Sequence, residues 1–413
     1  MSFGQGLSGL NAASQNLDVI GNNIANAGTI GFKSSTVSFA DVYANSRVGL
    51  GVQVSGVNQR FSIGNVSTTG NQFDMAIDGA KGLFRLEQPN GAVVYSRNGE
   101  FGPNKEGYLV NAQGFYLTGY GPGTNTVQRI RVPEGNIAPK ATENMRLQMN
   151  MPANAVAIDA TTRPFDRNDE ASYTQAFNYN VYDSLGNSHI VTQYYIKREA
   201  NAAGNSEWDI HYYMGDNAIS VSNPADPNTP LTSHKMEFDT AGRILPASEL
   251  AKFVIAQPGG ANSPAASLEF EINYQGSTQF GGGFNSGSPF QDGYGTGEYA
   301  GMSVTSEGTI VAAYTNGENM NMGAIVLANF TNLQGLQNIG GNAWVETGSS
   351  GQPVLGRPGE SGLATIKGQA VEESNVDMGQ ELVNMIVAQR TYQANAQTIK
   401  TQDQMLQTLV TLR

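Results

Sequence analysis

Apolar side chains recur every three or four residues at both ends of the chain and alternate with polar ones in between. Leu10, Ala13, Leu17, Ile20, Ile24 and Ala27 form one stripe of a helix predicted over about residues 7 to 27, with Gly28 as its stop. At the other end Leu382, Met385, Gln389, Tyr392, Ala396, Ile399, Asp403, Leu406 and Val410 keep the same spacing, and Ser374 and Asp377 supply an N-terminal capping pattern ahead of them. At the rise of an α-helix the C-terminal element reaches about 50 to 60 Å and the N-terminal one about 30 Å. Neither stripe can be buried by its own helix, so the natural partner of each is the other end or another copy.

The stretch between the helices reads differently. Gly91–Ser96, Asn178–Tyr182, Ile190–Ile196 and Thr309–Tyr314 alternate or carry β-branched and aromatic residues and predict strands. Turn signals lie at Asn90-Gly91, Asn98-Gly99, Asp183–Asn187, Ala241-Gly242 and Asn316-Gly317. The expected fold is a mainly β body of two or more barrel-like or sandwich-like domains, with N- and C-terminal α-helices forming a coiled-coil-like inner domain. Pro- and Gly-rich crossings at 133–152 and 276–297 divide it further. Residues 1–28 and 372–413 are assigned to the helical domain, and 29–71 with 361–371 to a connecting segment. An inner β domain takes 72–146 with 284–360, and an inserted outer β domain takes 147–283.

Composition sharpens the reading of the ends. Asp18 is the one ionisable side chain between Met1 and Phe32, and the polar positions there are Gln, Asn and Ser. The C-terminal helix repeats the habit with Gln380, Asn384, Gln389, Gln393, Asn395, Gln397, Gln402, Gln404 and Gln407. A solvated helix normally carries more charge. Amides suit enclosed packing between copies, where a repeated charge would face itself. Over 413 residues, 23 Lys and Arg against 35 Asp and Glu give a net charge of -12 with no basic cluster, which disfavours nucleic acid as a partner. The absence of cysteine excludes disulfides and thiolate chemistry. No apolar run is long enough for a membrane span, and the N-terminus lacks the pattern of a cleaved signal peptide.

Four places in the sequence hold residue types that can carry chemistry. His189, His211 and His234 lack metal-ligand spacing. Phe165–Glu170 lacks the central glycine and terminal glutamate of a calcium loop. Asp74 and Asp78 would serve glycoside hydrolysis only if they shared a cleft, and they sit on a strand pattern leading into a turn. The glycine runs 281–283 and 293–297 lack the strand and helix of a nucleotide loop. No catalytic, cofactor-binding or metal-ligating residue is assigned, and no enzyme activity or cofactor is expected.

Leu10–Asn26 with its continuation Thr29–Lys33 resembles the N-terminal motif of bacterial flagellar rod and hook proteins. Glu373–Asp377 followed by Glu381–Asn395 resembles the C-terminal motif of the same axial family. Asn22, Asn23, Asn26, Gly31, Phe32, Ser374, Asn375, Val376, Asp377, Gln389 and Arg390 are the positions that carry it. Tyr182–Asn187, Gly276–Phe280, Gln291–Glu298, Ala328–Phe330 and Gly335–Gln337 resemble the hook branch of the family. A departure lies at Gly79–Phe84, where relatives often have Gly-Phe-Phe.

The resemblance implies a subunit of a curved extracellular tube that acts as a universal joint between rod and filament. It further implies export without a cleaved signal peptide by the flagellar type III apparatus, and partnership with itself, the distal rod protein, the hook cap protein and the hook-filament junction protein. The rivals are a distal rod or junction subunit and, from other classes, a carbohydrate-binding adhesin or a muralytic enzyme.

Overall fold

The computed structural model describes residues 3–42, 49–133, 135–223, 229–260 and 262–411, with residues 409–411 described by their backbone alone. The chain is mostly β, arranged in several sheets, with a helix at each end: α1 (Phe3–Ala25) and α2 (Met378–Thr411), which pack against each other. Two compact units emerge. One comprises Met1–Glu134, Tyr299–Ala313 and Asn319–Arg413; the other comprises Gly135–Glu298 with the hairpin tip Tyr314–Glu318.

In the first unit α1 is followed by a two-stranded hairpin, β1 (Ser35–Asp41) and β2 (Val52–Gln59), antiparallel throughout with an irregularity between Ser38 and Phe39. Two further short ladders bring the returning chain back beside the outgoing one. β3 (Val66–Thr68) pairs with Ala370–Glu372, and β4 (Met75–Asp78) pairs with Thr365–Gly368. The β body is a large sheet in which β5 (Leu83–Glu87) lies between Tyr116–Tyr120 and β6 (Val93–Ser96). Alternation along these strands turns Phe84, Leu86, Val94, Leu117, Ile310 and Ile325 into one core with Met75 and Ile77.

The second unit pairs Gln175–Tyr182, Ser188–Lys197 and Ser206–Met214 in one antiparallel sheet. A second sheet holds Leu250–Ile255, Leu268–Asn273, Asn144–Arg146 and Phe290–Gln291. Their inner faces enclose Trp208, Ile210, Phe238, Phe253 and Ile272. Four polar side chains inside this core satisfy one another: Gln193 Nε2 donates to Tyr274 Oη at 3.0 Å, Tyr212 and Tyr274 hydroxyls meet at 2.7 Å, and the Tyr195 hydroxyl donates to Gln193, while Tyr179 Oη and Trp208 Nε1 are buried without a hydrogen bond among the described residues. Where the chain enters and leaves the unit, Asp292 accepts from the amides of Glu143 and Asn144, both at 2.9 Å, and from Lys140 Nζ at 3.0 Å. Burial opposes the charge on Asp292, but these donors outweigh it and hold the carboxyl at about 2.

The predicted strands lie where the alternation placed them, at Val93–Ser96, Gln175–Tyr182, Ser188–Lys197 and Thr309–Tyr314. Asn98-Gly99 differs: it is no hairpin turn but irregular chain leaving β6. A Cβ on Gly99 would meet the Met75 carbonyl oxygen at 1.6 Å, so the glycine there permits two backbones to touch. The N-terminal helix also starts earlier than its apolar stripe, at Phe3, through a segment whose glycines lower helix propensity.

Candidate assembly site at the terminal helices

The glycines that weaken α1 as an isolated helix let α2 approach it. A Cβ on Gly6 would stand 3.0 Å from Ile399 Cγ1, and one on Gly9 would stand 2.9 Å from Asn395 Oδ1. The order of these contacts makes the two helices antiparallel. Small residues continue the seam, with Ala12, Ala13 and Ala388 buried.

The other side of α1 is held by the β1–β2 hairpin, which runs back along the helix. At its base the buried Asn23 side chain donates to Ser35 O at 2.8 Å and accepts from Ser35 N at 2.9 Å. Near its tip Gln5 Nε2 donates to Gly49 O at 2.5 Å and Ser8 Oγ accepts from Val52 N at 3.3 Å. Asn23 therefore behaves as an extra strand residue grafted onto a helix, satisfying both polar groups of Ser35. Between α1, α2 and the hairpin lies a groove of about 680 Å³ lined by Ala13, Ile20, Val37, Phe39, Val387 and Ala388 among others.

Among the predicted stripe residues, Ala13 and Ile20 are buried, and Leu10, Leu17, Ile24, Ala27, Met385, Ala396 and Ile399 are half-buried. Leu382, Tyr392 and Leu406 are instead turned to solvent; with Val383, Ile386 and Met405 they are between 37% and 60% exposed. The Val410 side chain lies outside the described residues. The face of α2 that meets α1 runs through Ala388, Asn395, Ile399 and Gln402, about one residue round from the predicted stripe. Apolar residues occupy more than one face of this helix, so spacing alone did not single out the face that α1 covers.

The motif residues do several separate jobs. Asn22 and Asn26 close the end of α1, with Asn26 N donating to Asn22 O at 3.1 Å, and Thr29 Oγ1 donates to Asn26 Oδ1 at 3.1 Å. Gly31 adopts φ +69°, a conformation that favours glycine, and its amide donates to Glu372 O at 2.8 Å. The Phe32 amide continues the turn by donating to Thr29 O at 3.2 Å. Asn375 Oδ1 accepts from Ser34 N at 2.7 Å, while its Nδ2 donates to Arg60 O at 2.7 Å. Asp377 caps α2 through the amides of Gly379 and Gln380, at 2.9 and 3.1 Å. Ser374 Oγ takes the Val376 amide at 3.3 Å and leaves the cap to Asp377. Gln389 and Arg390 are exposed on α2.

The charged centre of this junction has no local signature in the sequence. Lys33 Nζ lies 2.5 Å from Glu372 Oε1 and Arg97 Nη1 lies 2.9 Å from Glu372 Oε2, with the Lys33 and Glu372 side chains fully buried and Arg97 nearly so. Burial pushes the Lys33 ammonium below its usual range, against the pull of Glu372, and Arg97 adds to the push. The partners stand 339 and 275 residues apart, beyond any spacing rule. Among the described residues there is no cluster of metal-ligating side chains, and no helix is long and apolar enough to cross a membrane.

This architecture is that of an axial subunit of the flagellar rod and hook type, and four domain families match it in order along the chain. They are the Flagella basal body rod protein (residues 5–33), the Flagellar hook protein FlgE/F/G D1 domain (76–161), the Flagellar basal body protein FlaE D2 domain (150–294) and the Flagellar basal body rod FlgEFG protein C-terminal (367–412). The chain is 41% identical over 423 residues to the flagellar hook protein FlgE of Escherichia coli K12, and 42% identical over 422 residues to that of Salmonella typhimurium LT2, in each case across 100% of both chains. The FlgE of Borreliella burgdorferi is 30% identical, covering 100% of this chain and 99% of its own. The crystal structure of Helicobacter pylori flagellar hook protein FlgE2 shares the fold, with a TM-score of 0.56 at 17% identity over 74% of this chain and 100% of that one. The chain belongs to the flagellar hook protein family. It is a structural subunit of the hook, an extracellular part of the flagellum.

Proposed function

We propose that copies of this chain polymerise into a tube by covering the outer face of α2 and the groove beside α1 with the helices of neighbouring copies. The observation that carries this reading is the patch Leu382, Val383 and Ile386, opposite the face that meets α1, which a single copy leaves in water. These side chains are already about half-buried in one copy, so completing their burial contributes about 1 kcal/mol each, and repeated over many copies it drives association against its entropic cost. The amide-rich remainder of α2 gives the tube a wall poor in charge, suited to the passage of unfolded chains. In this reading the tube is a flexible coupling that passes torque from rod to filament. It meets the distal rod protein at one end and the hook-filament junction protein at the other. It grows beneath the cap protein from subunits delivered by the type III export apparatus.

The test is Ile386→Asp in the full chain. Its melting is expected to match the parent, while tubes disappear from electron micrographs. Tubes of normal order from the variant would remove the outer face of α2 from the assembly surface.

A further inference from the structure

The Glu372 carboxylate gathers four separate parts of the first unit. Its Oε1 accepts from Lys33 Nζ, in the segment leaving α1, and from the Gly64 amide at 2.9 Å; its Oε2 accepts from Arg97, at the end of β6. Each cation is also tied to backbone: Lys33 Nζ donates to Ser62 O at 2.6 Å, and Arg97 donates to Gly79 O at 3.0 Å and Ala80 O at 2.9 Å. Glu372 itself ends the strand from which the chain runs on to α2.

A buried triad of this kind is a poor source of stability, because stripping three charges of water offsets their attraction. Its property is uniqueness. The carboxylate is satisfied only when Lys33, Gly64 and Arg97 are all seated, and an apolar cluster of equal volume would tolerate small rotations. The other bonds across this junction, from the Gly31 amide to Glu372 O and from Asn375 to Ser34 and Arg60, are single uncharged bonds to backbone, whereas the carboxylate ties side chains from both sides to one point. The ladder beside the triad pairs just Val66–Thr68 with Ala370–Glu372, and the helix seam is made of glycine and alanine, which interlock weakly against rolling.

We propose that Lys33, Glu372 and Arg97 are positioning residues that fix the direction in which the helix pair leaves the β body, and through it the helical twist of the polymer. This rests on the reading that copies assemble into a tube. The charges act by rejecting alternative seats, and the contacts between copies do the binding.

Two full-length variants test it. Glu372→Gln is expected to speed amide exchange at residues 29–34, 62–64 and 370–375 by about tenfold or more while β5 and β6 keep their protection. The triple variant Lys33→Met, Arg97→Met, Glu372→Leu leaves no buried charge unpaired. Because the Gly64 amide and the Gly79 and Ala80 carbonyls lose their partners, it is expected to fold but melt below the parent, and to form tubes whose twist, measured by electron cryomicroscopy, is spread where the parent's is single-valued.

Tubes of the triple variant with the parent's twist and spread would overturn the proposal. So would loss of protection throughout β5 and β6 in Glu372→Gln, or failure of both variants to fold, since each would make the triad an ordinary part of the core. If the parent protein formed no tube, the assembly reading would fall. The exchange measurement would still report whether the triad seats the junction.

Discussion

The terminal helices and the second unit solve opposite problems with residues drawn from the same chain. The second unit buries Trp208, Tyr195, Tyr212, Tyr274 and Phe238 to 1% exposure or less and pairs Gln193 with the hydroxyls of Tyr195, Tyr212 and Tyr274 in one network. The helix pair buries glycine, alanine, one isoleucine and amides, and leaves leucine, valine, isoleucine and methionine outside. One region closes a core of large side chains within a single copy, although Val156, Ile190, Val254, Phe280 and Phe290 stay exposed on its surface. The other has large apolar side chains on the outer side of its helix pair, so self-sufficiency and readiness to assemble are encoded by where large side chains point.

Removing residues 1–28 should have the largest effect, because it takes away the whole of α1. Both β cores are expected to melt cooperatively as before, and tube formation to cease altogether; ordered tubes of normal diameter from the truncated protein would refute it. Trp208→Ala attacks the other region. It should destabilise the second unit by about 3 to 5 kcal/mol, as a large core deletion does, while the circular dichroism of the helices is retained. Unfolding followed separately at Trp344 and at residues of the second unit distinguishes the two.

Asp292→Asn sharpens the picture at the entry to the second unit. The folded carboxyl sits at about 2 against an ordinary 3.8, so its stabilisation is fully present above pH 3.8 and is lost as pH falls toward 2. The variant should therefore lose about 2 kcal/mol near neutral pH, and the gap between variant and parent should close on acidification. A gap unchanged at low pH would assign the loss to packing. Smallest of all, Asp377→Ala should cost about 1 kcal/mol through loss of the α2 cap, visible as earlier fraying of residues 378–381 in hydrogen exchange.

What could be read beforehand followed from period and local chemistry. The strand at Gln175–Tyr182, its Asp183–Asn187 turn and the strand at Ser188–Lys197 were legible because alternation and turn residues act over a few positions. The stripe of α1 was legible for the same reason. The seam on α2 was not, because contacts with α1 select one of several apolar faces. Nor was the triad: Lys33 stood in a recognised motif, but nothing in the order of residues says that it meets Glu372 and Arg97. Asn98-Gly99 was misread because a glycine needed for backbone contact looks, in sequence, like one needed for a turn.

The contacts of Gly6 and Gly9 carry a mechanical consequence. With Ile399 and Asn395 set into those two notches, sliding α2 by one turn, about 5.4 Å, toward the C-terminal end of α1 would drive Asn395 onto Ala12 and Ala13, whose methyl groups already fill the seam. The pair is keyed along its length like a shaft in a keyway. A pull along the axis is resisted by the shape of the fit, whereas prising the helices apart sideways meets only the weak adhesion of small side chains. A joint made of such pairs can be stiff under load and still be assembled, one copy at a time, from surfaces that do not cling.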